Sequence, residues 1–175
     1  MIRKLLFVSL LVLIVVFSCT KDKGQVAVDA ANSINTDAKL FAYMKTQKFS
    51  YYKNDSVNKI ASTSGFHSGS YFLKFNKTAT SQLDGTGKLP AGATFSDSSL
   101  VVKELYNGSS IDKYSIMFKD SKSPFASGGW IWAMFNTDGT VVSGLGIAAD
   151  GGGCNVSGCH ANGNRDHLQS FDAHP

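Results

Sequence analysis

At 175 residues, 43% of them hydrophobic and 17% charged, the chain is long enough for one domain with its own core. Its formal net charge of +4 comes without a basic run or stripe, which excludes nucleic acid as an expected partner. Three cysteines, an odd number, demand separate accounts for one of them and for the other two.

The first residues read as an export signal. Arg3 and Lys4 precede the apolar run Leu5 to Phe17, too short to span a bilayer and suited to a signal peptide. The run ends Val16-Phe17-Ser18-Cys19-Thr20, and small or apolar residues just before a cysteine resemble a bacterial lipobox. On that reading residues 1–18 are removed and Cys19 is lipidated. The alternative is an ordinary signal peptide with an unrelated cysteine. Cleavage leaves 15 of the 17 basic side chains against 13 acidic ones. The expected product is an exported bacterial lipoprotein, anchored to a membrane on the periplasmic or cell-surface side.

Residues 19–36 are mostly polar and small and read as a tether. Asp37 is placed to cap a helix from Ala38 to Gln47 with Leu40, Phe41 and Met44 on one face. Lys48 to Gly65 gives no clear element. Its Tyr51-Tyr52 pair suits either a sugar or partner contact or the cover of a core edge. Residues 37–66 thus form a helix and an irregular segment ahead of the main domain, 67–175.

From residue 69 the period becomes two. Ser70 to Asn76 places Tyr71, Leu73 and Phe75 on one face, and Lys77 to Leu83 reads as a short helix before the turn Asp84-Gly85-Thr86-Gly87. Leu100 to Tyr106, Tyr114 to Lys119 and Trp130 to Phe135 are further strands, with Thr140 to Ser143 a short fifth. Consecutive strands joined by turns predict an antiparallel sheet, so the fold class is α+β, mainly antiparallel β with short helices. On the strand around it, Lys103 shares a face with Val101 and Leu105. An inward lysine would be held partly neutral and nucleophilic; an edge-strand or snorkelling lysine is the competing reading.

The C-terminal segment carries the chemistry. Asp150-Gly151-Gly152-Gly153 leads into Cys154-Asn155-Val156-Ser157-Gly158-Cys159-His160. Two thiols followed at once by an imidazole suit covalent haem: each thiol adds to a vinyl group and the histidine ligates iron. The spacer is four residues rather than the common two. On an ideal helix it would set the sulfurs about 140° apart, so a bend is needed and Gly158 allows one. A Cys154–Cys159 disulfide with His160 a bystander is the alternative. No second Cys or His pair stands at zinc-ligand spacing.

Several pieces, in order, resemble the cytochrome P-460 family over about residues 67–172. They are Tyr71-Phe72-Leu73-Lys74-Phe75-Asn76, Gly87-Lys88-Leu89-Pro90, Phe95-Ser96-Asp97-Ser98 and Val101-Val102-Lys103-Glu104-Leu105. Met117-Phe118-Lys119-Asp120, Gly128-Gly129-Trp130 and Cys159-His160 follow, with Asp166 and Phe171 behind. The resemblance implies haem c packed on one face of an antiparallel sheet, held by Cys154 and Cys159, with His160 the axial ligand. It implies a small-molecule ligand or substrate at an open iron position, and a redox partner protein. In members that oxidise hydroxylamine a strand lysine is cross-linked to the porphyrin; the matching residue is Lys103. Related cytochromes c′-beta lack that bond and bind nitric oxide or carbon monoxide. Where some members carry a distal arginine and a distal acid, this chain has Tyr71 and Ser115. His67 and His167 are further candidates for the iron or its surroundings. Hydroxylamine oxidation, a non-catalytic gas-binding or electron-transfer cytochrome, and a haem-free surface lipoprotein with a disulfide are therefore the three expectations.

Overall fold

Four strands from Ser70 onward, joined by two short ones that precede it, form a six-stranded antiparallel sheet. The computed structural model describes residues 34–62, 67, 69–156, 159–162 and 165–168. The expected signal peptide, Cys19 and most of the tether lie outside the described residues, as do Ser157, Gly158 and Phe171.

The first helix, α1 (Asp37–Thr46), begins one residue earlier than its sequence pattern predicts, and its cap is Thr36 rather than Asp37. The Thr36 side chain accepts the Lys39 N–H at 3.3 Å. The Asp37 carboxylate is taken instead by a distant donor, the Ile147 amide, at 2.8 Å. It thereby ties the helix to the loop after the last strand.

The strands are β1 (Phe49–Tyr51), β2 (Ile60–Ala61), β3 (Ser70–Asn76), β4 (Leu100–Asn107), β5 (Ser110–Lys119) and β6 (Trp130–Asn136). Their order is β1-β3-β4-β5-β6, with β2 also paired to β3. Both short strands come from the stretch that shows no clear pattern in sequence. The expected helix over Lys77 to Leu83 shortens to α2 (Lys77–Thr80). Asn76 caps it: its Oδ1 accepts from Ala79 and Leu100 amides at 3.0 Å each, and its Nδ2 donates to the Ser98 carbonyl at 2.9 Å. A buried amide bonded on both ends fixes the β3–α2 junction to the start of β4. Thr140 to Ser143 is not a strand. It makes a single bridge, Phe135 to Val141, because the turn at Asp138-Gly139 returns the chain beside β6 for only that step.

Period-two alternation gives the sheet two apolar faces. On one, Leu100, Val102, Ile116, Phe118, Ile131 and Phe135 pack under Leu40 and Met44 of α1. On the other, Tyr71, Leu73, Phe75, Val101, Leu105, Met117, Trp130, Trp132 and Met134 pack under loop residues Leu89 and Phe95 and C-terminal Leu168. The helix therefore closes one face, and loops and the C-terminal segment close the other.

Candidate functional site

The second face holds the sequence-predicted groups. Register places Leu73, Lys103, Ser115 and Met134 side by side across β3, β4, β5 and β6. Residues directly opposite in an antiparallel sheet share a face, so Ser115 stands in the same row as Lys103. Tyr71 lies one pleat away on β3 and is buried. Its ring centroid is 5.1 Å from the Lys103 ammonium, a cation–π distance. Burial holds the Tyr71 hydroxyl above its ordinary pKa.

The edge-strand and snorkelling readings of Lys103 are incorrect. β4 has paired neighbours on both sides, and the lysine is only 7% exposed. Burial drives its pKa down from 10.5 to about 8, opposed by the nearby Cys154 when that is a thiolate. At pH 8 about half of the amine is neutral and nucleophilic.

Cys154 reaches this face through an unusual backbone. Asp150, Gly151, Gly152 and Gly153 all have positive φ, from 51° to 81°, and three glycines supply that region at little cost. Gly151 presses against Trp132. A Cβ there would lie 2.8 Å from both the Trp132 Cβ and the Cys154 sulfur. Gly151→Ala is therefore expected to cost about 1–3 kcal/mol through strain and crowding. Unchanged thermal melting would show that this approach is not what seats the segment.

The Cys154 thiol is half-buried, donates to the Gly151 carbonyl at 2.8 Å, and packs on the apolar face. Burial pushes its pKa up to about 11, with Asp150 and Cys159 adding and Lys103 subtracting. Cys159 is exposed, and both cysteines stand as thiols rather than as a disulfide. The His160 amide donates to the Cys154 carbonyl at 3.2 Å.

His160 is buried, its ring centroid 4.6 Å from that of Trp132. Its Nδ1 lies 2.8 Å from the His167 carbonyl oxygen. A carbonyl only accepts, so Nδ1 carries the proton and, in the neutral ring, Nε2 carries the lone pair. Metal-ligating histidines are commonly fixed in this way through the other ring nitrogen. His167 returns the contact, its Nδ1 3.2 Å from the His160 carbonyl. It brackets His160 rather than lying apart from it. Two thiols and one histidine of fixed tautomer are the residue types that covalent haem attachment uses, the thiols for the vinyl groups and the histidine for iron. Among the described residues, no group of three or more His, Cys, Asp or Glu side chains forms a metal cluster.

The chain matches no protein-family model and no curated protein.

Sequence reasoning missed Trp132 as the wall behind His160, and the buried pair Lys119–Asp166 against Trp130. The Trp130-Ile131-Trp132 alternation was the available signal for the first. A groove of about 390 Å³ lies toward β1, lined by Tyr51, Lys53, Phe75 and Asp84 among others, and touches none of Lys103, Cys154 or His160. Tyr51 borders it, while Tyr52 is buried, its ring centroid 6.4 Å from that of Phe75.

Proposed function

We propose that this chain is a lipid-anchored, monohaem c-type cytochrome of the cytochrome P-460 type, acting on small nitrogen species such as hydroxylamine. The observation that carries the reading is convergence. A lysine amine with its pKa near 8, a half-buried thiol and a histidine with its Nδ1 proton held by a carbonyl all belong to one face of the sheet. In this reading Cys154 and Cys159 form thioethers, each S–H adding across one vinyl double bond without any oxidant. His160 offers Nε2 to the iron. Bound haem supplies an electron acceptor and a ligand position that no side chain of this chain supplies. Cys19 holds the protein to the membrane, and electrons leave through a redox partner.

Lys103 is the residue that separates enzyme from carrier. Its amine would bond to a porphyrin carbon, losing one N–H hydrogen as the carbon loses its own. A peroxide takes the two electrons and two protons and becomes two waters. A second reading, a nitric oxide- or carbon monoxide-binding or electron-transfer cytochrome, is favoured by the neighbours of Lys103. Leu73 and Met134 are apolar, and neither Tyr71 nor Ser115 offers a carboxylate to take protons from a substrate. Peptide mapping of haem-loaded protein decides between them. Haem joined to the Lys103 peptide, with Lys103→Ala restoring an ordinary c-type spectrum and abolishing hydroxylamine oxidation, supports the enzyme. Unmodified Lys103 in a protein with an ordinary spectrum supports the second reading.

A further inference from the structure

One residue before His167 in the chain, Asp166 forms a buried ion pair with Lys119. The Lys119 ammonium meets both oxygens of Asp166, at 2.8 and 2.9 Å, and the two side chains are 9% and 5% exposed. Asp166 is held by two further donors. The Phe95 amide donates to its Oδ2 at 2.8 Å, and the Trp130 indole N–H donates to its carbonyl at 3.0 Å. Three separate elements, β5, the loop before β4, and β6, therefore fix one residue of the C-terminal segment.

The next residue is His167, whose carbonyl takes the His160 Nδ1 proton. Asp166 and His167 have φ of 49° and 63°, a backbone region that non-glycine residues occupy only when the surroundings hold them there. Release of Asp166 would let both relax and turn the His167 carbonyl away. Gly129 leaves room for the lysine tip, since a Cβ there would stand 3.1 Å from the ammonium. The Trp130 ring also lies 4.9 Å from it.

We propose that Lys119 and Asp166 form a latch that positions His160, setting its tautomer and ring orientation through the His167 carbonyl. The inference rests on the haem reading for its purpose but not for its geometry. Lys119 and Asp166 are positioning residues; neither reaches the reacting atoms.

The test uses the mature chain with nitrogen-15 in its histidines, and the variants Asp166→Asn and Lys119→Met. In the wild type His160 gives a single Nδ1–H tautomer whose proton is protected from exchange. Both variants are expected to give a mixture of tautomers and to lose that protection while circular dichroism shows the sheet intact. In haem-loaded protein they shift the iron–histidine vibrational band and the reduction potential, and haem stays attached. Should either variant fail to fold, Lys119→Gln, which keeps an N–H donor of shorter reach, must show the same mixing in the folded state. A single protected tautomer in folded variants would overturn the latch. Colourless wild-type protein from a host competent in c-type haem maturation would end the haem reading, and the tautomer measurement would still decide the latch.

Discussion

Lys103→Met is expected to stabilise the haem-free chain at pH 7 and to remove a rise in stability expected of the wild type in alkali. The Lys103 pKa falls from 10.5 in the open chain to about 8 in the fold, and a drop of that size corresponds to about 3 kcal/mol. Below pH 8 both states hold the proton, so the folded state bears the full cost of an ammonium buried among Tyr71, Leu73 and Cys154. Between about pH 8 and 10.5 the folded state sheds the proton and the unfolded chain keeps it, so stability rises with pH. Above 10.5 both are neutral and the penalty is gone. Methionine has a similar length and no charge, so it should gain most of the 3 kcal/mol at pH 7, or roughly 10 °C in melting temperature. Other lysines and tyrosines titrate in the same window, so the quantity to measure is the difference between variant and wild type across pH. Parallel stability curves would show that burial does not depress the Lys103 pKa. The cost of keeping a lysine here is itself a reason to look for its chemistry.

Loss of both thiols should have the largest effect on cofactor content. The double variant Cys154→Ser, Cys159→Ser is expected to retain no haem after denaturation, because His160 alone leaves only a coordinate bond. Cys159→Ser alone should keep a weaker haem-dependent peroxidase band on a denaturing gel, through the thioether at Cys154. The fold should survive both changes. Cys159 is exposed, and a serine hydroxyl at position 154 can still donate to the Gly151 carbonyl where the thiol does now. A band of wild-type intensity from the double variant would mean that haem is held elsewhere or not covalently.

The sheet was legible because four of its strands run for seven to ten residues, β6 as an unbroken apolar run buried on both faces and the others with polar residues breaking the apolar pattern. β1 and β2, at three and two residues, are too short to carry a pattern. They exist because the edge of β3 offers unpaired backbone groups. Lys103 could be placed on a face from its spacing, but spacing does not say whether a strand is central or at an edge. That depends on pairing with β3 and β5, which sequence alone left open. Asp37 begins an apolar period, which points to a cap, but Thr36 takes that role and the carboxylate accepts from Ile147. The bend expected at Gly158 lies outside the described residues, and the positive φ values fall instead on Asp150 and the three glycines before Cys154. The bracket of His160 by His167, and the anchoring of Asp166 by Lys119, Phe95 and Trp130, arise from the chain doubling back on itself. Such contacts leave no local period.

The most direct test of the covalent haem assignment is the intact mass and visible spectrum of wild-type protein made in a host with c-type haem maturation. Covalent attachment predicts the mass of the mature chain plus one haem, with an absorption band that survives denaturation. A colourless protein with the mass of the bare chain, or of the chain less two hydrogens in a Cys154–Cys159 disulfide, would contradict it.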